Sequence, residues 1–242
     1  MTVPAERGAG AWPGDEANDE TGAVSGSIDV AVFDWDGTLI DSTSLIAEAI
    51  LRAAQDIDVR VPDRAQASHV IGLGLAEALA RVVPDLPRER IPAFAARYHV
   101  HFRLGEEDVR FFDGARELLQ ELRRRGLRLA VATGRTTAEL TRSFDSSGTE
   151  AFFEAYRCAD QTHPKPHPAM LFELAEELQV APARMVMIGD TSHDLHMAAA
   201  AGVPAVAMTH GAHARSELER LRPAALCDSI AQLQRWLLAR CP

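Results

Sequence analysis

Four short segments of the sequence place acidic, hydroxyl and cationic side chains beyond the ends of apolar runs. These side chains are Asp34 and Asp36 in DWDGT, Thr133 in VATGR, Lys165 in HPKPHP, and Asp190 and Asp194 in GDTSHD. Transfer of a phosphoryl group requires a nucleophile in line with the leaving oxygen, and cations that offset the phosphate charge. Carboxylates can act as nucleophile or as acid and base, and magnesium prefers oxygen ligands. The four segments therefore carry the residue types that metal-assisted phosphoryl transfer needs.

The elements that must position these side chains alternate between strands and helices. Five apolar runs predict buried strands, at IDVAVF (28–33), LRLAVAT (127–133), YRCA (156–159), RMVMIGD (184–190) and PAVAM (204–208). Helical stretches separate the runs from residue 113 onward, and the first of these is expected to begin with Asp113 as its N-cap. Such alternation predicts an α/β fold with a doubly wound parallel sheet. Ligands of such sheets bind beyond the carboxyl ends of the strands, where these side chains lie.

The same patterns divide the chain into three parts. Residues 1–27 show no apolar periodicity and predict a disordered tail. Residues 28–41 and 113–242 together form the predicted α/β catalytic core. Residues 42–112 repeat apolar side chains at helical spacing, which predicts a helical domain inserted into the core.

Taken in order, the segments FDWDGTLIDS, VATGR, HPKPHP and GDTSHD resemble the four motifs of the haloacid dehalogenase superfamily of phosphotransferases. The resemblance covers residues 28 to about 230. The helical insertion lies between the first and second segments, which resembles the phosphoglycolate phosphatase-like branch, where an α-helical cap opens and closes over the catalytic face. The resemblance thus implies a Rossmann-like core with an inserted all-helical cap over residues 42–112.

The resemblance also implies a role for each acidic residue of the segments. Asp34 matches the nucleophile that forms an aspartyl-phosphate, and Asp36 matches the acid and base that serves the leaving alcohol and the attacking water. The residues that match the family's Mg²⁺ ligands are Asp34, Asp36 through its carbonyl, Asp190 and, behind them, Asp194. Lys165 is the only lysine of the chain, and it matches the cation that the family places beside two of these carboxylates.

Phosphate binding is expected from residues that follow the first two strands. Thr133 can donate its hydroxyl to the phosphoryl group, and the backbone amides of Trp35, Asp36 and Gly134 can form an anion-binding nest. Arg135 is a further candidate for contact with the substrate. It departs from the family's pattern, in which a small polar residue and then lysine usually follow the threonine.

Several neighbouring residues have ordinary structural explanations. Asp41 and Ser42 are expected to cap the helix that follows them, and they are left out of the site. His193 and His196 are expected on the surface of a helix, because a magnesium site prefers oxygen to imidazole. Residues 71–76 form either a substrate-facing loop of the cap or a plain turn between helices.

The composition argues against several kinds of partner and location. Acidic residues outnumber basic ones by 35 to 25, and the formal charge of −10 argues against a nucleic-acid partner. The longest apolar stretch, residues 197–208, has 12 residues, whereas a membrane-spanning helix needs about 20. Three scattered cysteines without a CxxC pair, and the lack of an export signal before Ile28, favour the cytoplasm. The expected partner is a small phosphorylated metabolite, and the oligomeric state is left open.

Together these observations predict a magnesium-dependent phosphatase of small phosphorylated metabolites, with phosphoglycolate as the first substrate by resemblance. Two alternatives stay open at this point. A phosphosugar mutase would use the same residues to transfer phosphate to a second sugar hydroxyl. A catalytically silent binding protein would keep the fold for protein contacts.

Overall fold

One parallel sheet of six strands forms the centre of the molecule. A computed structural model describes residues 27–241, so the tail predicted over residues 1–27 lies outside the described residues except for Ser27. The strands are β1 (Val30–Phe33), β2 (Arg128–Thr133), β3 (Ala155–Cys158), β4 (Met185–Gly189), β5 (Ala205–Met208) and β6 (Ala225–Cys227). Their order in the sheet is β3-β2-β1-β4-β5-β6. The predicted doubly wound α/β fold is confirmed. The sequence patterns do not predict β6, because its three residues are too few to show a period.

Helices cover both faces of the sheet. The helices are α1 (Thr43–Asp56), α2 (Arg64–His69), α3 (Leu75–Val82), α4 (Ile91–Glu106), α5 (Ala115–Arg124), α6 (Thr137–Ser147), α7 (Ala169–Glu177), α8 (Ser192–Ala201), α9 (Arg215–Arg220) and α10 (Ile230–Leu238). Side chains of α5, α6 and α10 pack with Ala31 and Phe33 of β1, whereas those of α7 and α8 pack with Val30 and Val32. Burial on both faces explains the continuous apolar run of this strand. Among the described helices, none has the length and apolar character needed to cross a membrane.

The start of α5 differs from the expectation. The helix begins at Ala115, and its N-cap is Gly114 at φ = 82°, without a side-chain hydrogen bond at the cap. Glycine adopts this left-handed conformation without the steric cost that a Cβ would impose. The prediction of Asp113 as the N-cap is therefore wrong, because the chain turns into the helix one residue later.

Helices α1 to α4 follow β1 and precede α5 in the sequence, and they form a layer separate from the sheet. Their apolar side chains build a cluster of their own, which includes Ile46 on α1 and Phe102 on α4. The two chain segments that join this layer to the sheet lie side by side, and the amide of Asp41 donates to the carbonyl of Arg110 at 2.9 Å. We refer to residues 42–112 as the cap.

Candidate active site

Two neighbouring strands at the centre of the sheet position the acidic side chains. β1 and β4 pair in parallel, with Phe33 opposite Ile188, and the strand order runs outward in opposite directions from this pair. Asp34 follows β1 and Asp190 follows β4, so both lie at the carboxyl ends of adjacent strands. This is the point at which doubly wound sheets bind their ligands.

Lys165 connects the first and the last of the four segments. Its Nζ lies 2.8 Å from Oδ1 of Asp34 and 2.6 Å from Oδ1 of Asp194, and its side chain is fully buried. Burial by itself lowers the pKa of a lysine, but the charges of Asp194 and Asp34 outweigh burial and raise the pKa of Lys165. The ammonium group is therefore charged at neutral pH and offsets part of the surrounding negative charge.

The carboxylates of Asp34, Asp190 and Asp194 form a compact buried cluster. One oxygen of each lies within 4.8 Å of the others. Burial, together with the negative charge of Asp194, raises the pKa of Asp190 to about 7. Burial also raises the pKa of Asp34 well above its usual range, and its Oδ2 has no hydrogen-bond partner among the described residues. A buried carboxylate oxygen without a donor, next to two further carboxylates, fits a divalent cation.

Asp190 is held in place by loops on two sides. The hydroxyl of Thr38 donates to its Oδ1 at 2.7 Å, and the amide of Ala212 donates to its Oδ2 at 2.7 Å. Gly37, at φ = 79°, lies so close that a Cβ there would be 2.2 Å from Oδ2 of Asp190. Glycine is required at this position, both for its backbone conformation and for this close approach.

Asp194 lies in the first turn of α8, and each of its oxygens has a partner. Oδ2 accepts a hydrogen bond from the hydroxyl of Thr191 at 2.6 Å within a capping box, while Oδ1 faces Lys165. The carboxylate therefore orients the lysine and stabilises the start of the helix. Thr133 ends β2, where it is fully buried, and its Oγ1 accepts from the amide of Arg135 at 3.2 Å.

The carboxylate of Asp36 lies apart from the acidic cluster and faces the cap. Nε and Nη2 of Arg135 donate to its two oxygens at 2.8 and 2.7 Å. Burial by itself raises the pKa of Asp36, but Arg135 outweighs burial and holds the pKa below its usual value. The guanidinium of Arg135 also lies over the ring of Phe102 on α4, 5.1 Å from the ring centre. In this structure Arg135 thus links the carboxylate of Asp36 to the cap.

Ser42 belongs to the site, contrary to the expectation that it only caps the next helix. It is the N-cap of α1 but makes no side-chain hydrogen bond there. Its buried hydroxyl donates instead to Oδ1 of Asp36 at 2.6 Å. A serine before a helix looks the same in sequence whether it caps the helix or reaches back to an earlier residue. Sequence reasoning therefore missed this contact.

One of the expected phosphate-binding amides, that of Trp35, lies beside the nucleophile candidate. The amide of Trp35 donates to Oδ1 of Asp34 at 2.6 Å, and the indole of Trp35 is buried in the core. Trp35 can therefore contact a ligand only through its main chain. Gly134 lies directly under the cap, because a Cβ there would be 2.6 Å from the carbonyl oxygens of Gly72 and Leu73.

The cap loop around Gly72 lies over the acidic cluster. A Cβ on Gly72 would be 3.3 Å from Oγ1 of Thr191 and 3.7 Å from Oδ2 of Asp34. A Cβ on Gly74 would be 3.2 Å from the Cβ of Ala159. Of the two interpretations of residues 71–76, the loop that faces the site agrees with this geometry.

His193 is buried, which corrects the expectation of a helix-surface residue. Its Nε2 lies 2.9 Å from the carbonyl oxygen of His69 on the cap, and its ring packs edge-on against that of His213. Burial lowers the pKa of His193 to about 4, so the ring is neutral at neutral pH. The first turn of α8 faces the cap, and this packing is invisible to a period read along one helix. His196 on the same helix is exposed, as expected.

Comparisons with known proteins match most of the chain to one family. The model of the family described as haloacid dehalogenase-like hydrolase matches residues 31–208, which include both core and cap. "Probable phosphatase IndB" of Dickeya dadantii is 33% identical over 209 residues, which are 84% of this chain and 91% of that protein. "Tyrosine-protein kinase PtkA" of Mycobacterium tuberculosis is 34% identical over 184 residues, which are 75% of this chain and 62% of that protein.

A solved structure shares the fold. The crystal structure of a predicted phosphoglycolate phosphatase from Haemophilus somnus superposes with a TM-score of 0.76 at 22% identity. The match covers 86% of this chain and 97% of that one. The shared architecture therefore extends over nearly all described residues of this chain.

Proposed function

Since this chain belongs to the haloacid dehalogenase-like hydrolases, we propose that it hydrolyses small phosphorylated metabolites with Mg²⁺ through an aspartyl-phosphate on Asp34. The broader statement, that the chain is a phosphatase acting on phosphoric monoesters, follows from the family and from the phosphatase relative that matches most of its length. One observation carries the proposal: Asp34 is buried against Lys165 next to two further carboxylates.

Asp34 is the proposed nucleophile. Its Oδ1 is held by Nζ of Lys165 at 2.8 Å and by the amide of Trp35 at 2.6 Å, whereas Oδ2 has no donor among the described residues. In the proposed step, an oxygen of Asp34 forms a bond to phosphorus while the bond between phosphorus and the leaving oxygen breaks. The hydroxyl of Thr133 and the amide of Gly134 would bind the phosphoryl oxygens.

Asp36 is the proposed acid and base. Arg135 keeps this carboxylate ionised in the structure, so Oδ2 would first exchange the hydrogen bond from Nε of Arg135 for a proton, while Nη2 stays on Oδ1. Asp36 would then give this proton to the leaving oxygen in the first step. It would then take a proton from the water whose oxygen attacks phosphorus and frees Asp34. Arg135 and Ser42 hold this carboxylate on the side of the cap, where it lines a cavity that can receive the leaving group.

The acidic cluster fits a divalent metal ion. Asp34, Asp190 and the main-chain carbonyl of Asp36 would hold it, and Asp194 would act behind them by orienting Lys165. When bound, the ion offsets the negative charge of the phosphate. The pKa of Asp190, about 7 in the absence of a cation, supports this assignment, because burial raises it first and the uncompensated charge of Asp194 raises it further.

Phosphoglycolate is the first substrate to assay, because the branch that the sequence resembles bears its name. Equal amounts of inorganic phosphate released and substrate consumed would identify water as the acceptor. A phosphosugar mutase would instead release little phosphate. We place the reaction in the cytoplasm, in agreement with three cysteines that are free in the structure, Cys158, Cys227 and Cys241.

Asp34→Asn tests the proposal, because an amide has nearly the same shape but is a poor nucleophile. Phosphate release from acetyl phosphate with Mg²⁺ should fall by more than about a hundredfold, and excess EDTA should stop the wild-type reaction until Mg²⁺ is restored. Asp41→Asn is the matched control, since Asp41 is an exposed acid outside the cluster. Undiminished activity of Asp34→Asn in protein free of other phosphatases would overturn the assignment.

A further inference from the structure

A cavity between the cap and the core adjoins the proposed acid and base. Its volume is about 60 Å³, and ten of its fourteen lining residues belong to the cap. Apart from Gly72, these ten carry aliphatic or aromatic side chains, among them Ile50, Leu75, Tyr98 and Phe102. The leaving group of a substrate would therefore meet an apolar wall.

The polar side chains of the cavity all come from the core, except for the phenol of Tyr98. They are Asp36, Arg135 and Glu139, so two carboxylates face one guanidinium. The charge of Arg135 is already paired, because Nε and Nη2 bind Asp36, while Nη1 lies 3.7 Å from Glu106 without a hydrogen bond. No lining residue of this cavity offers a second cation.

Arginines of the cap do not supply the missing charge. No arginine of the cap lines the cavity, and two of them form ion pairs at other positions, where Arg52 lies 2.7 Å from Glu48 and Arg81 lies 2.8 Å from Glu77. Both pairs are solvent-exposed, and neither arginine lines the cavity. A second anionic group on a substrate would therefore be desolvated next to two carboxylates, where the charge of the single guanidinium is already paired with Asp36. An unpaired buried charge of this kind is strongly unfavourable.

We propose that this phosphatase prefers monoesters of uncharged alcohols with an apolar body, so that the phosphoryl group is the substrate's only anion. The inference rests on the proposed function and narrows its substrate class. It also makes phosphoglycolate, with its carboxylate, a poor substrate. Burial raises the pKa of Tyr98, so the phenol stays neutral and can donate a hydrogen bond to an uncharged oxygen of the leaving group.

A matched pair of substrates tests the proposal. Isobutyl phosphate and phosphoglycolate have the same number of non-hydrogen atoms, and they differ in that two methyl groups replace the two carboxylate oxygens. We expect kcat/KM for isobutyl phosphate to exceed that for phosphoglycolate by about a hundredfold or more. Equal values, or a preference for phosphoglycolate, would overturn the proposal.

A substitution in the cavity wall provides the reciprocal test. Leu75 is half-buried at the start of α3, so an arginine there can bring a cation to the cavity. Leu75→Arg should raise kcat/KM for phosphoglycolate by about tenfold or more and lower it for isobutyl phosphate. Leu75→Gln is the control of similar length without the charge, and it should not favour phosphoglycolate. If Leu75→Arg gains nothing on phosphoglycolate while it still hydrolyses acetyl phosphate, the proposal fails.

Acetyl phosphate separates this proposal from the proposed function. It is small and activated, and its hydrolysis should depend on Asp34 whatever alcohol the cavity prefers. Hydrolysis that depends on Asp34, combined with a preference for phosphoglycolate, would refute the substrate class and leave the proposed function standing. Hydrolysis that does not depend on Asp34 would refute both.

Discussion

Replacement of Arg135 by glutamine tests the electrostatics of the site directly. Arg135 holds both oxygens of Asp36, and the hydroxyl of Ser42 is the other side-chain partner of that carboxylate. Glutamine would leave the buried carboxylate with Ser42 and without its cation. We therefore expect Arg135→Gln to lower the free energy of unfolding at neutral pH.

The magnitude follows from the burial of the pair. The side chains of Arg135 and Asp36 are only 7% and 8% exposed, and two hydrogen bonds of 2.8 and 2.7 Å join them. Removal of one partner from such a pair costs about 3–5 kcal/mol of unfolding free energy. Because Ser42 still donates to one oxygen, we expect about 3 kcal/mol, the lower end of that range.

The pH dependence of this loss has a defined sign. Arg135 holds the pKa of Asp36 below its usual value in the folded protein, despite the opposing effect of burial. A carboxyl group with a lowered folded pKa contributes stability above its unfolded pKa of about 3.9, and the contribution is lost as the pH falls through the folded pKa. The deficit of Arg135→Gln should therefore be complete at pH 7 and shrink below about pH 4.

Urea unfolding at neutral and acidic pH, followed by circular dichroism, measures this difference. Arg142→Gln is the matched control, because Arg142 lies on α6, the helix that follows Arg135, with its Nε 3.9 Å from Glu106, but is 39% exposed. We expect the control to change the unfolding free energy by less than about 1 kcal/mol. A loss for Arg135→Gln no larger than that of the control, or one independent of pH, would refute the reasoning.

Three further predictions concern the cation, the metal and the cap. Lys165→Met should lower kcat by more than about a hundredfold on every phosphate ester, because the ammonium group beside Asp34 is lost. Near-normal turnover would contradict a catalytic role of Lys165. Mg²⁺ should raise the midpoint of thermal unfolding more at pH 8 than at pH 5, because Asp190, with a pKa of about 7, must be ionised to bind the ion. Equal increases at the two pH values would mean that the ion binds elsewhere. Gly134→Ala should hold the cap open, because its Cβ would lie 2.6 Å from two cap carbonyl oxygens. In that variant kcat/KM should fall at least about tenfold for isobutyl phosphate and little for acetyl phosphate, and equal losses would argue against a role in closure.

Local patterns in the sequence were sufficient for the fold class and for the place of the site. A buried parallel strand reads as a continuous apolar run, and the residue after it lies at the carboxyl edge of the sheet. Asp34 and Asp190 could therefore be expected at one edge before any contact was known, and the structure places them after β1 and β4. The sequence did not predict β6, because three residues show no period. Asp113 was predicted as the N-cap of α5, whereas the structure has Gly114 at that position.

Contacts between distant parts of the chain decided the rest. Asp36 and Arg135 are 99 residues apart, and neither apolar periodicity nor a short motif indicates that the guanidinium binds this carboxylate. The hydroxyl of Ser42 and the ring of His193 likewise find their partners only when the cap packs on the core. Residue types and spacing thus determined which chemical groups are present and at which edge of the sheet they lie. Their ion pairs and the charge of the cavity depend on tertiary packing, because desolvation and distance between remote segments set the strength of each electrostatic interaction.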